Sequence, residues 1–294
     1  MPRIGLKSVL NWLIRREWHP GSTSSVHDPP RNTPHGKGTL GRMVDTETVA
    51  PRGSWATVAR IYWGVVAAIG TGAFLLSCYI SVTQEGNGGA FNGLWFTLSY
   101  FTVWSNIVAF IANWMLFADP ARDSRGFRWF RMTSLVMITV TGLVYAIVLA
   151  PLYKPVGLGV YTNLGFHYIV PWATFLGFLL FGPRPRFSLR EVFTMLAIPV
   201  VWLIYTLLRG LLLLQPPPEA PATTLGEPQH WYPYPFIDVN DPSPLIPGVE
   251  YGGYAGVAVN IVAIVILGLL FGFIFLGLDR ALSKGQKPTP LPQG

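Results

Sequence analysis

The sequence predicts an all-α polytopic membrane protein with six transmembrane helices and both termini cytoplasmic. Three observations carry that reading. Of 294 residues, 51% are hydrophobic and only 12% charged, about half the charged fraction of an average soluble chain. Six apolar stretches reach the roughly 20 residues needed to cross a bilayer, at about 58–82, 94–117, 131–151, 163–182, 191–214 and 254–277. Nineteen of the 21 Lys and Arg residues lie at or before Arg60, in the connections around 118–131 and 183–190, or in the C-terminal tail. The connections at 83–93 and 215–253 hold none, and that at 152–162 holds only Lys154. Such alternation marks the cytoplasmic side. The net charge of +7 is therefore a topology signal that also suits acidic headgroups. Membrane lipids are the expected partners, and nucleic acid is not.

Residues 1–55 are expected to be a disordered basic tail on the cytoplasmic side. The run HPGSTSSVHDPPRNTPHGKG has too few large apolar residues to build a core. His19, His27 and His35 are spaced too irregularly for a metal site. The first eighteen residues mix Leu and Ile with Lys7, Arg15 and Arg16, and lack the apolar core and cleavage site of a signal peptide. Met43 offers a shorter start, and the first span is left as the insertion signal. That span carries the single cysteine, Cys78, which can form no intramolecular disulfide. Residues 56–282 form the expected six-helix domain, and 283–294 a second cytoplasmic tail.

The second span carries a stripe of Thr102, Ser105 and Asn106, which share one helical face at i, i+3 and i+4. Tyr145 closes the third span, His167 sits in the fourth, Arg209 in the fifth and Asn260 in the sixth. At about 1.5 Å of rise per residue, Thr102 falls roughly 13 Å below the outer boundary and the other four roughly 8–9 Å below it. Between the fifth and sixth spans lies the longest connection, 215–253, rich in proline and acidic. It holds an aromatic run that includes Tyr234 and Phe236, with Asp238 close behind. Prolines enforce extended or turn geometry, and Trp and Tyr favour the membrane–water interface. Two readings follow, an interfacial cover over the helix ends or a lid over the polar layer.

Each polar residue has an ordinary structural role to set against a functional one. A membrane-helix threonine usually bonds back to its i−4 carbonyl. A lone histidine is often a packing residue, an arginine can snorkel to the interface, and Tyr145 and Asn260 can simply link helices. Ionisable groups in hydrocarbon are costly, however, and mark functional sites. The spans offer no second histidine for bis-histidine haem, no paired Glu and His for a bridged metal centre, and no mid-membrane acid for proton pumping. No cofactor or metal is expected. What survives is a hydroxyl plus an imidazole, the minimum for acyl transfer. Arg209 or Asn260 would stabilise the oxyanion, or Arg209 would hold a carboxylate or phosphate.

The segments SYFTVWSNIVAF (99–110), LGFHYIVPW (164–172), and WLIYTLLRG followed by YPYPF and a carboxylate (202–238) resemble the androgen-induced and androgen-dependent membrane proteins and their bacterial six-span relatives. The resemblance covers about 58–280. It implies a multi-span hydrolase of fatty acid esters of hydroxy fatty acids in a bacterial plasma membrane. The family's threonine nucleophile maps onto Thr102, its histidine onto His167 ahead of Pro171, and its aromatic run before the last helix onto Tyr234–Phe236. The chain departs from the family at Asn106 and at Arg209-Gly210. The expected function is hydrolysis of a lipid ester, with Tyr145, Ser105, Asn106, Arg209 and Asn260 around the substrate. The alternative is a non-catalytic lipid-binding or transport protein.

Overall fold

The computed structural model describes residues 54–84, 89–182, 186–212, 214–215, 229–240 and 242–283. The tail regions expected at 1–55 and 283–294 lie almost wholly outside these residues, as do His19, His27, His35 and Met43 and residues 216–228 of the long connection.

The described chain is all-helical apart from one short strand pair, with six helices long and apolar enough to cross a membrane. The first span is α1 (Ser54–Thr83). A short helix α2 (Ala90–Thr97) precedes the second span, α3 (Phe101–Ala118). The third span is α4 (Arg125–Val144), extended by a π-helical segment at Tyr145–Leu149. The fourth runs through α5 (Gly159–Asn163), a second π segment (Leu164–Ile169) and α6 (Val170–Phe181). The fifth is α7 (Leu189–Thr194) followed by α8 (Ala197–Leu212), and the sixth is α9 (Gly253–Ala281).

The departures from regular helix have readable causes. The second span does not run unbroken from residue 94. The chain turns at Leu98–Tyr100, where two indoles satisfy freed carbonyls: Trp104 Nε1 donates to Leu98 O at 2.7 Å and Trp202 Nε1 to Ser99 O at 3.0 Å. Helix ends need such partners. Each π segment ends two residues before a proline, Pro151 or Pro171. A proline has no amide to return to the carbonyl four residues back, and the wider turn takes up that mismatch. Pro199 in the same way stands four residues after Met195, where α7 gives way to α8. The third span begins six residues earlier than hydropathy suggests. Ser124 caps its start, accepting from Phe127 N at 3.1 Å, while Asp123 pairs with Arg128.

Among the apolar clusters of the described residues, two lie toward opposite ends of the bundle. One, at the end bearing the starts of α1 and α4, joins Met132, Leu135, Phe178, Met195 and Phe275 from the third to sixth spans. The other, at the opposite end, joins Trp202 and Val257 to Tyr232, Tyr234, Phe236 and Ile237 from the long connection. Strands β1 (Leu214–Gln215) and β2 (Gln229–His230) pair antiparallel, with Leu214 opposite His230, and close the neck of that connection. The aromatic run after β2 is thereby turned into the protein.

Candidate active site

Thr102 is the second residue of α3, so the break at Leu98–Tyr100 places it in the first turn of a helix rather than mid-span. Its side chain is not bonded back to a carbonyl of its own helix. Oγ1 lies 3.3 Å from His167 Nε2 and 3.3 Å from the Tyr234 hydroxyl. The backbone N–H of Thr102 donates to the same Tyr234 hydroxyl at 3.1 Å. Tyr234 thus supplies a helix-starting amide with the acceptor it lacks, and its own proton remains for an oxygen near Thr102.

His167 lies in the π segment of the fourth span. Its Nδ1 is 2.9 Å from Asn163 Oδ1, one helical turn earlier. An amide oxygen only accepts, so Nδ1 carries the proton and the Nε2 lone pair faces Thr102. Thr102, His167 and Asn163 therefore form a line of hydroxyl, imidazole and amide. The imidazole is further clamped by Tyr145, whose ring stacks on it at 3.6 Å between centroids and 13° between planes. Both stacked residues sit on π segments, so two local irregularities meet at one place. Gly142 lets the third and fourth spans close together here; a Cβ at that position would stand 2.8 Å from Pro171 Cβ.

Beneath Thr102 the donors of the stripe expected from its sequence are spent on backbone carbonyls, while among the described residues the buried Asn106 Oδ1 has no hydrogen-bond partner. Ser105 Oγ and Asn106 Nδ2 both donate to Thr102 O, at 2.9 and 2.8 Å. Asn106 Nδ2 also reaches Phe166 O at 3.2 Å, and Thr141 Oγ1 donates to Ser105 Oγ at 2.8 Å. These bonds tie the turn bearing Thr102 to the third and fourth spans. Both side chains are buried and neither lines the cleft beside Thr102.

That cleft has an open space of about 780 Å³ between the third, fifth and sixth spans. Its walls are almost entirely apolar: Phe101, Val144, Leu149, Leu203, Phe236, Ile261 and Ile264 among them. Thr102, Thr141, Tyr145 and Tyr234 bring hydroxyls to it.

Arg209 and Asn260 are not part of this arrangement. The Arg209 guanidinium lies between Trp231, at 4.7 Å from the ring centroid, and Phe96, at 5.6 Å, and the residue is buried. Asn260 spends its amide on the long connection, accepting from Leu245 N and donating to Phe236 O and Ser243 O, each at 2.9 Å. Asp238 turns its own loop, with Oδ1 accepting from Asn240 N at 2.9 Å and from Asn240 Nδ2 at 2.8 Å. Tyr234 and Phe236, by contrast, are inserted: both are buried, and their rings stack at 5.1 Å. Burial pushes the Tyr234 phenol above its ordinary pKa, so it stays a neutral hydrogen-bond donor. Sequence reasoning missed Asn163, although its i−4 spacing from His167 was a visible signal.

The chain matches no protein-family model, no curated protein and no solved structure.

Proposed function

We propose that this protein is a membrane-embedded hydrolase of fatty acyl esters, with Thr102 as nucleophile and His167 as general base. The observation that carries the reading is the line of Asn163, His167 and Thr102, at 2.9 and 3.3 Å, at the head of an apolar cleft. A threonine hydroxyl is inert without an adjacent base, and such contacts tighten when substrate binds. The resemblance to the androgen-induced family supports the same pair. His167 takes the hydroxyl proton as Oγ1 bonds to the acyl carbon. The alcohol then leaves with that proton, and a water deprotonated by His167 releases the fatty acid and restores the threonine. Tyr234 and the positive end of α3 face the developing oxyanion. Asn163 holds the tautomer.

In this reading the termini are cytoplasmic and the site opens toward the outer leaflet of a bacterial plasma membrane, which the distribution of basic residues supports. The cleft itself would also suit a protein that binds or carries lipid without chemistry. A fluorophosphonate probe separates the two. Covalent labelling at Thr102, lost in His167→Ala, supports the hydrolase; an unlabelled protein that co-purifies with lipid favours the carrier.

A further inference from the structure

A second, smaller cavity lies at the other end of the bundle, between the start of the third span and the end of the fourth. Among the described residues its polar lining is Arg122, Asp123, Arg128, Arg131 and Arg186, four guanidiniums and one carboxylate. Asp123 is already engaged. Arg128 donates to its two oxygens at 2.6 Å each, and Arg186 Nη1 pairs with it as well. Two further carboxylates lie close enough to act on the cluster, Asp279 on Arg128 and Arg186 and Glu191 on Arg128, while also serving the backbone. Asp279 Oδ2 accepts from the amides of Arg186 at 2.7 Å and Phe187 at 3.0 Å, and Glu191 forms a capping box with Ser188.

Arg131 is the unusual member. It is 5% exposed and so does not snorkel to the interface. Its Nη1 donates to Asn113 Oδ1 at 3.2 Å and its guanidinium lies 4.6 Å from the Trp63 ring centroid. Among the described residues, its Nη2 is buried without a hydrogen-bond partner, as is Nε of Arg186. A ring face and an amide do not neutralise a cation, and a buried charge left without a counter-ion is strongly destabilising. Guanidinium forks match phosphate oxygens in shape and charge.

We propose that this cavity binds a phosphate anion, with Arg131 and Arg186 at its floor and the exposed Arg122 at its mouth. The phosphate belongs either to the headgroup of an anionic lipid in the adjacent leaflet or to a soluble phosphate. The site is remote from Thr102 and does not depend on ester hydrolysis.

The test uses the full chain, delipidated in dodecyl maltoside, with the thermal midpoint followed as probes are added. The probes are inorganic phosphate and, separately, dioleoyl phosphatidic acid, each against uncharged monoolein and equal ionic strength of chloride. The expected result is a saturable rise with a phosphate probe and none with monoolein. Arg131→Gln and Arg122→Gln should each weaken the apparent affinity about tenfold, the loss of one charge-assisted contact. A rise with phosphatidic acid alone identifies a lipid headgroup; a rise with inorganic phosphate as well shows that the free anion suffices. Should Arg131→Gln fail to fold, the surface variant Arg122→Gln decides. No rise with either probe, or a wild-type response from Arg122→Gln, overturns the proposal.

Discussion

At the scale of single residues, the proposed chemistry depends on side chains that act only together. A base with nothing to deprotonate and a hydroxyl with no base are equally idle, so their losses should not multiply. Thr102→Ala, His167→Ala and the double variant are each expected to lose about a thousandfold or more of long-chain ester hydrolysis. Thr102→Ser, which keeps the hydroxyl, should retain part of it. Multiplicative losses in the double variant would show that the two residues work separately. Asn163→Ala tests the orienting bond of 2.9 Å. Losing it frees the imidazole to take the other tautomer, so kcat should fall about a hundredfold while the thermal midpoint moves little. An unchanged kcat would reduce Asn163 to a packing residue.

At the scale of elements, the described aromatic stretch of the long connection packs into the bundle, with Tyr232, Tyr234, Phe236 and Ile237 buried against Trp202 and Val257. Each fully buried Phe or Ile contributes roughly 1.5–3 kcal/mol. Two helix positions make the docking feasible. A Cβ at Gly210 would stand 2.2 Å from Tyr232 Cε1, so only glycine lets the ring lie on α8. Gly210→Ala should therefore lift the aromatic run, lower the thermal midpoint and reduce ester hydrolysis together, since Tyr234 travels with Tyr232. Asn260 fastens the other flank with three bonds. Its replacement by alanine should cost about 2–3 kcal/mol of stability, read by thermal or denaturant unfolding; a neutral effect would mean the connection holds without it.

At the scale of the whole molecule, six spans put the two ends of the helical domain on one side. In the proposed reading, the basic residues put that side in the cytoplasm. In a Cys78→Ser background, Gly226→Cys should react with an impermeant thiol reagent added to intact cells, and Lys287→Cys only after the membrane is opened. Labelling of Lys287→Cys from outside would invert the topology and place the Thr102 cleft toward the cytoplasm.

The sequence by itself determined the fold class, the number of spans and most of their bounds, because hydropathy over about 20 residues is set by composition alone. It also marked a polar layer that includes Thr102 and His167, and the family resemblance paired those two. Depth arithmetic on ideal helices could say that these residues share a layer, but not which of them touch. That was decided by tertiary structure. A break at Leu98–Tyr100 puts Thr102 at a helix start, and π segments ahead of Pro151 and Pro171 bring Tyr145 and His167 face to face. The prolines were visible, yet a proline can kink, end or widen a helix, and the neighbouring spans select the outcome. The same is true of Arg209 and Asn260. Their residue types fit an oxyanion site, but the folded connection delivers backbone carbonyls and an amide to Asn260 and the face of Trp231 to Arg209, partners that only the tertiary structure brings near.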